Sequence, residues 1–182
     1  KLEETDLHVS RLSIRCISGG DQYYKVGSDE YRVTPENYLV INHGQQYRTS
    51  YDGPGNKEMM LIAFKPGFAE EILYAAMTDE DKLLDDPFRP VDQPIHFFEK
   101  TYDSDLFIRN TFTWFRSLMN EDKGWKKTVD LDSVYSGMLI RLLQIHRGVY
   151  AEINKIDSVK LSTRKELYRR LTIGKEFLDN NL

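Results

Sequence analysis

Four histidines, His8, His43, His96 and His146, are the residues best suited to ligate a metal. A metal-dependent barrel enzyme sets two histidines one residue apart on a strand, then adds a carboxylate and a further histidine to cover one face of the ion. No His-x-His pair exists in this chain. His43 runs into Gly44-Gln45-Gln46-Tyr47, His8 lies near the first residue, and His146 falls in an apolar helical stripe. Each is expected to serve structure, and no metal or other cofactor is expected. Cys16, the single cysteine, alternates with Leu12 and Ile14, the place of a small buried residue rather than a reactive thiolate. There is no Gly-x-Ser-x-Gly elbow, and Gly53-Pro54-Gly55 lacks the Lys-Ser or Lys-Thr of a phosphate-cradling loop. The carboxylates Asp79-Glu80-Asp81 and Asp85-Asp86 read as a polar acidic loop. The expectation is a protein without catalytic residues, not an enzyme.

Tyrosine offers binding chemistry instead. Tyr23, Tyr24, Tyr31, Tyr38, Tyr47 and Tyr51 crowd the first third of the chain, together with Arg48. A phenol supplies an apolar face and one hydroxyl, which suits a mostly apolar pocket with a few fixed hydrogen bonds. Tyr is also an ordinary strand residue. Tyr24, Tyr38, Tyr47 and Arg48 are the candidate pocket residues, Arg48 for a carboxylate or for sugar hydroxyls. Parity alone does not decide which of them point inward.

The elements that must position them read as a β meander over residues 7–64. Leu12, Ile14 and Cys16 alternate with Ser13 and Arg15, the period of a half-buried strand. Further strands follow at 22–26, 31–33, 38–42, 47–51 and 58–64, divided by turns rich in Gly, Asn and Pro. Asp52-Gly53-Pro54-Gly55-Asn56 is the strongest of these turns and is expected to close a hairpin. Residues 38–42 are nearly all apolar, as in a strand covered on both faces. Six short strands suggest a small antiparallel barrel or sandwich. A helix is expected at 68–77, a returning strand over 91–102, and long helices at about 104–120 and 130–154.

In the second long helix Leu131, Tyr135, Met138, Leu142, Ile145 and Val149 form one apolar stripe. A stripe this wide fits ordinary packing within the chain or half of a dimer interface; since one small sheet cannot cover two helices this apolar, it is expected to meet a symmetry mate in a homodimer. In the first, Phe107, Thr111, Trp114 and Leu118 share a seam beside Ile108 and Phe115.

A net charge of −4 argues against this portion gripping nucleic acid, which needs clustered excess Lys and Arg. With 40% hydrophobic residues the chain has material for a folded core. No apolar run approaches the roughly 18 residues that span a bilayer, so no membrane partner is expected. A lone cysteine fits a reducing compartment, and a cytoplasmic location is expected.

The last twenty residues differ from the rest. Thr163 and Glu166 have the spacing of a capping box, and Leu167, Leu171, Gly174 and Leu178 recur at helical intervals among Arg164, Lys165, Arg169, Arg170 and Lys175. The run Arg-Lys-Glu-Leu-Tyr-Arg-Arg-Leu-x-x-Gly-Lys-Glu-Phe-Leu-Asp-Asn-Asn-Leu resembles the first helix of the AraC-type helix-turn-helix domain. Upstream, the order of a β-rich segment followed by helices is similar to that family's sensing domain. The resemblance implies an α+β fold: a small cupin-like β-barrel or jelly-roll over 1–102, a helical dimerisation segment over 103–160, and the interdomain helix over 161–182. It implies effector sensing and dimerisation in a transcription regulator, with a small-molecule effector, a sugar or a carboxylate. DNA would be reached only through reading helices beyond Leu182, with Thr163, Glu166, Leu167 and Leu171 carrying the signal. The alternatives are a stand-alone cupin-like sugar-binding module or enzyme, and a purely structural dimerisation module.

Overall fold

The computed structural model describes residues 3–51, 58–78, 94–120 and 130–181. Within these residues nine strands precede or interleave with four helices: β1 (Glu3–Glu4), β2 (His8–Val9), β3 (Ser13–Ser18), β4 (Gln22–Val26), β5 (Asp29–Val33), β6 (Asn37–Ile41), β7 (Gln46–Tyr51), β8 (Glu58–Ala63), α1 (Phe68–Met77), β9 (Thr101–Asp103), α2 (Leu106–Asn120), α3 (Leu131–Asn154) and α4 (Leu161–Asn181). The class is α+β, as expected. The strands form two antiparallel sheets rather than a closed barrel. The first runs β1-β7-β4-β5, with β2 also on β7; the second runs β8-β3-β6-β9.

The barrel stays open for a local reason. The edge of β7 that would receive β8 is occupied by β1 and β2, which pair as Glu3↔Tyr51 and His8↔Tyr47. Closing on β8 would require that same edge. β8 instead joins β3 over six residue pairs, from Ser13↔Ala63 to Ser18↔Glu58, so the expected hairpin between 47–51 and 58–64 does not form. The turn at 52–56 and the acidic loop at 79–86 lie outside the described residues. The expected strand over 91–102 reduces to Thr101–Asp103 within the described residues, paired with β6. Residues 94–98 run irregularly, because Asn42 replaces a ladder partner: its Oδ1 accepts from the Phe97 N–H at 2.8 Å and its Nδ2 donates to the Phe97 carbonyl at 3.0 Å.

Packing gives three layers. Between the sheets lie Ile17, Leu39 and Ile41 from the second and Tyr24, Val26, Tyr31, Val33 and Tyr47 from the first. The other face of the second sheet, with Ile14, Cys16, Tyr38, Val40, Ile62 and Tyr102, packs on Ile108, Phe112 and Phe115 of α2 and Met138, Leu139, Leu142, Val149 and Ile153 of α3. Tyr38–Ile41 of β6 are therefore buried on both faces, as their unbroken apolar run requires. Gly27 holds the tight β4–β5 turn at φ +60°, a conformation that an L side chain rarely adopts. Asp130 caps α3 by accepting from the Ser133 N–H at 3.3 Å.

Within the chain, this core takes up much of the stripe expected to meet a symmetry mate. Met138, Leu142 and Val149 are buried within one chain, and Leu131, Tyr135 and Ile145 pack partly buried on the same cluster. A whole sheet face needs cover, and α2 and α3 together supply it. In α2 the buried side is Ile108, Phe112, Phe115 and Leu118, which turns Phe107 outward at 46% exposure.

Leu142→Ala should lower the free energy of unfolding by about 2–5 kcal/mol in a urea titration, the cost of a core cavity. Its mass by light scattering should equal that of the parent. A change of mass at unchanged stability would put the stripe at an interface between chains instead.

Candidate functional site

The site begins with one charge in an apolar strand. In β3, Ile14 and Cys16 face the helices, so Ser13, Arg15 and Ile17 must face the first sheet. Arg15 thus enters the space between the sheets. Its cross-strand neighbours there are Leu39 on β6 and Leu61 on β8. Its Nη2 donates to the Tyr47 hydroxyl at 2.8 Å, and its guanidinium carbon lies 4.6 Å from the centre of the Tyr47 ring. Nε is buried and has no hydrogen-bond partner.

Around it lies a cavity of about 280 Å³, lined by His8, Arg15, Gln22, Tyr24, Tyr47, Thr49, Met59, Met60 and Leu61. Gln22, Tyr24, Tyr47 and Thr49 share one face because β4 and β7 pair in register, Tyr24 opposite Thr49. The Tyr24 hydroxyl donates to Gln22 Oε1 at 2.8 Å. Burial pushes the Tyr24 phenol well above its ordinary 10.0, against the opposing pull of Arg15, so it remains a neutral hydrogen-bonding group. Met59 and Leu61 stay 59% and 52% exposed, which leaves the cavity an apolar mouth along β8.

Two of the four expected pocket residues, Tyr24 and Tyr47, line this cavity; the other two do not. Tyr38 points to the helical layer, stacked on Tyr102 at 5.6 Å, with its hydroxyl buried and unpaired. Arg48 sits one residue out of phase with Tyr47 and is exposed, opposite Lys25. The sequence reading missed Arg15, Gln22, His8, Thr49, Met59 and Leu61. A charged residue at the centre of an otherwise apolar strand was the signal for Arg15.

The last helix, α4, reaches the hairpin that walls this site. Arg169 on α4 pairs with Asp29 at 2.7 Å, and Asp29 opens β5 at the end of the hairpin that carries Tyr24. Glu176 accepts from the Thr101 hydroxyl at 2.6 Å, and Tyr168 donates to Glu152 at 2.6 Å while meeting Phe98 edge-on. The capping box does not form. α4 starts earlier, with the Arg164 N–H on the Lys160 carbonyl, which places exposed Thr163 inside the first turn. Glu166 turns to Arg169 and Arg170 instead, and those hydrogen bonds hold its carboxyl near 2. Leu167 and Leu171 remain 39% and 67% exposed.

No nucleophile or metal cage takes shape among the described residues. Burial pushes the Cys16 thiol up to about 12, which keeps it protonated. Among the described residues no three His, Cys, Asp or Glu side chains gather as metal ligands. His8 stands at the cavity, His43 is exposed in the β6–β7 turn, His96 contacts Glu99 at 3.3 Å, and His146 packs between Phe97 and Tyr150. Among the described residues no helix is long and apolar enough to cross a membrane.

No protein-family model matches the chain, and no curated protein matches it. Solved structures of ToxT from Vibrio cholerae align with it at 10% identity. The wild-type form with bound unsaturated fatty acid aligns at a TM-score of 0.47 over 80% of this chain and 54% of its own, so the chain spans about half the length of that protein. An apo variant and a further crystal form align at 0.49 and 0.45, each over 100% of this chain and 75% of theirs. At that identity, and below a TM-score of 0.5, the likeness settles neither family nor ligand.

His146 makes a prediction about acid stability. Burial first, then Lys165 and His96, lower its pKa from 6.5 to about 4, and its Nδ1 is buried without a partner. The unfolded chain takes up a proton below pH 6.5 that the folded side chain refuses until about pH 4, so stability falls with pH through that window. His146→Phe should flatten the decline of Tm between pH 6.5 and 4, measured by circular dichroism. Parallel declines for parent and variant would contradict it.

Proposed function

We propose that this chain is the effector-sensing portion of an AraC-type transcription regulator, which controls a DNA-binding domain outside the chain. The observation that carries this reading is the docking of α4. The helix whose sequence resembles the first helix of that family's reading domain is tied by Arg169 to Asp29, on the same hairpin that walls the cavity. Its Leu167, Leu171 and Leu178 meanwhile stay exposed, an apolar face without cover from the described residues.

The mechanism follows from linkage. A ligand between the sheets binds with different affinity to the arrangements in which α4 is held or released, and only that difference shifts their populations. The chain binds its effector without turning it over. The reading includes a cytoplasmic homodimer, since paired reading heads match paired half-sites. With much of the α3 stripe buried, one surface open for pairing on the helical layer is the groove of about 470 Å³ that includes Phe107, Trp114, Val134 and Gly137.

The test is a DNA-binding titration of the full-length protein with and without a ligand bound in the cavity. The parent should change its DNA affinity by about 5- to 150-fold on binding ligand, the usual span of allosteric coupling. Asp29→Ala, which removes the clasp to α4, should shrink that change. A bound ligand that leaves the parent's DNA affinity unaltered refutes the reading.

A further inference from the structure

We propose that the cavity between the sheets takes a compact monocarboxylate, its carboxylate on Arg15 and its apolar body against Met59 and Leu61. The inference rests on the sensing reading only for its purpose; the chemistry stands on the cavity itself.

Arg15 differs from the other paired arginines. Arg32, Arg116, Arg141, Arg169 and Arg170 each reach a carboxylate within 3.1 Å. Arg15 is within ion-pair distance of no carboxylate among the described residues, and its one hydrogen-bond partner is the neutral Tyr47 hydroxyl. A guanidinium cannot shed its charge, and a half-buried cation without a counterion is costly unless an anion arrives. The planar fork of the head, held at Nη2 by the Tyr47 hydroxyl, suits a carboxylate.

Charge and size narrow the class. Among the described residues Arg15 is the single Lys or Arg lining the cavity, so it balances one negative charge rather than two. Among the described residues no Asp or Glu lines it, and the side-chain amide oxygen there, Gln22 Oε1, is taken by the Tyr24 hydroxyl. A sugar, whose many hydroxyls must each donate, finds few acceptors there. The volume, about 280 Å³, equals the share of roughly nine waters, which admits a short or single-ring acid. Met59 offers a flexible thioether to an irregular apolar body, and Leu61 sits directly across the ladder from Arg15.

Calorimetric titration of this chain with benzoate and hexanoate, beside benzamide, glucose and inorganic phosphate, tests the proposal. A carboxylate should bind and its amide should not. Arg15→Gln should weaken carboxylate binding by about 10- to 100-fold, the loss expected for hydrogen bonds to a charged group. Leu61→Glu, at an exposed position that tolerates substitution, should weaken it as well by repelling the anion, whereas Arg48→Gln should not. Equal binding of benzoate and benzamide, or full binding by Arg15→Gln, overturns the proposal, as does the absence of binding by either acid at millimolar concentration. Glucose binding in place of the acids overturns the ligand class while leaving effector sensing intact. Carboxylate binding that depends on Arg15 but leaves DNA affinity unchanged upholds the proposal and removes the regulator reading.

Discussion

Burial of the second sheet on both faces is the constraint from which the rest of the molecule follows. β3 and β6 must present apolar residues to the helices through Ile14, Cys16, Tyr38 and Val40, and to the first sheet through Ile17, Leu39 and Ile41. Each interface removes apolar surface from water at roughly 25 cal/mol per Å², so neither cover can be lost without exposing a core. The helices are therefore committed inward. Their stripes are occupied by the sheet, and outward they offer a groove beside Phe107 and Trp114 and scattered apolar residues such as Met119 and Ile140.

Against that background the polar exceptions carry meaning. Ser13 and Arg15 interrupt the inner face of β3. Ser13 satisfies itself against Ser10 at 2.9 Å. Arg15 spends one N–H on Tyr47 and lines a cavity whose mouth is apolar, with no carboxylate among the described residues to pair it. The β4–β5 hairpin touches both that cavity and α4. Tyr24 faces the cavity from the middle of the hairpin, and Asp29 at its turn holds Arg169.

Much of this architecture was legible from alternation and punctuation. The strands at 22–26 and 58–63 and the helix at 68–77 stand where Gly, Pro and apolar period place them. The double-sided burial of β6 is written in its unbroken apolar run. The strand pairing was not legible, because β1 and β2 are two residues each and leave no periodic signal. Those two short strands decide that β7 cannot receive β8. The site was half legible: Tyr24 and Tyr47 carry a type signal, while Arg15, Met59 and Leu61 belong to it only through the pairing of β3 with β8.

The sequence by itself determined the element types, the absence of a paired-histidine metal motif and the odd character of the last helix, since each depends on residues close in the chain. Which face of each element is inward was decided by tertiary structure. Parity says that Tyr47 and Arg48 point apart, but only the position of the second sheet makes Tyr47 internal and Arg48 external. Helical spacing says that Leu131 to Val149 form a stripe, but only the uncovered face of β3 and β6 makes it a core. Period is a property of the local chain; the identity of the surface that covers a face depends on residues far away in sequence.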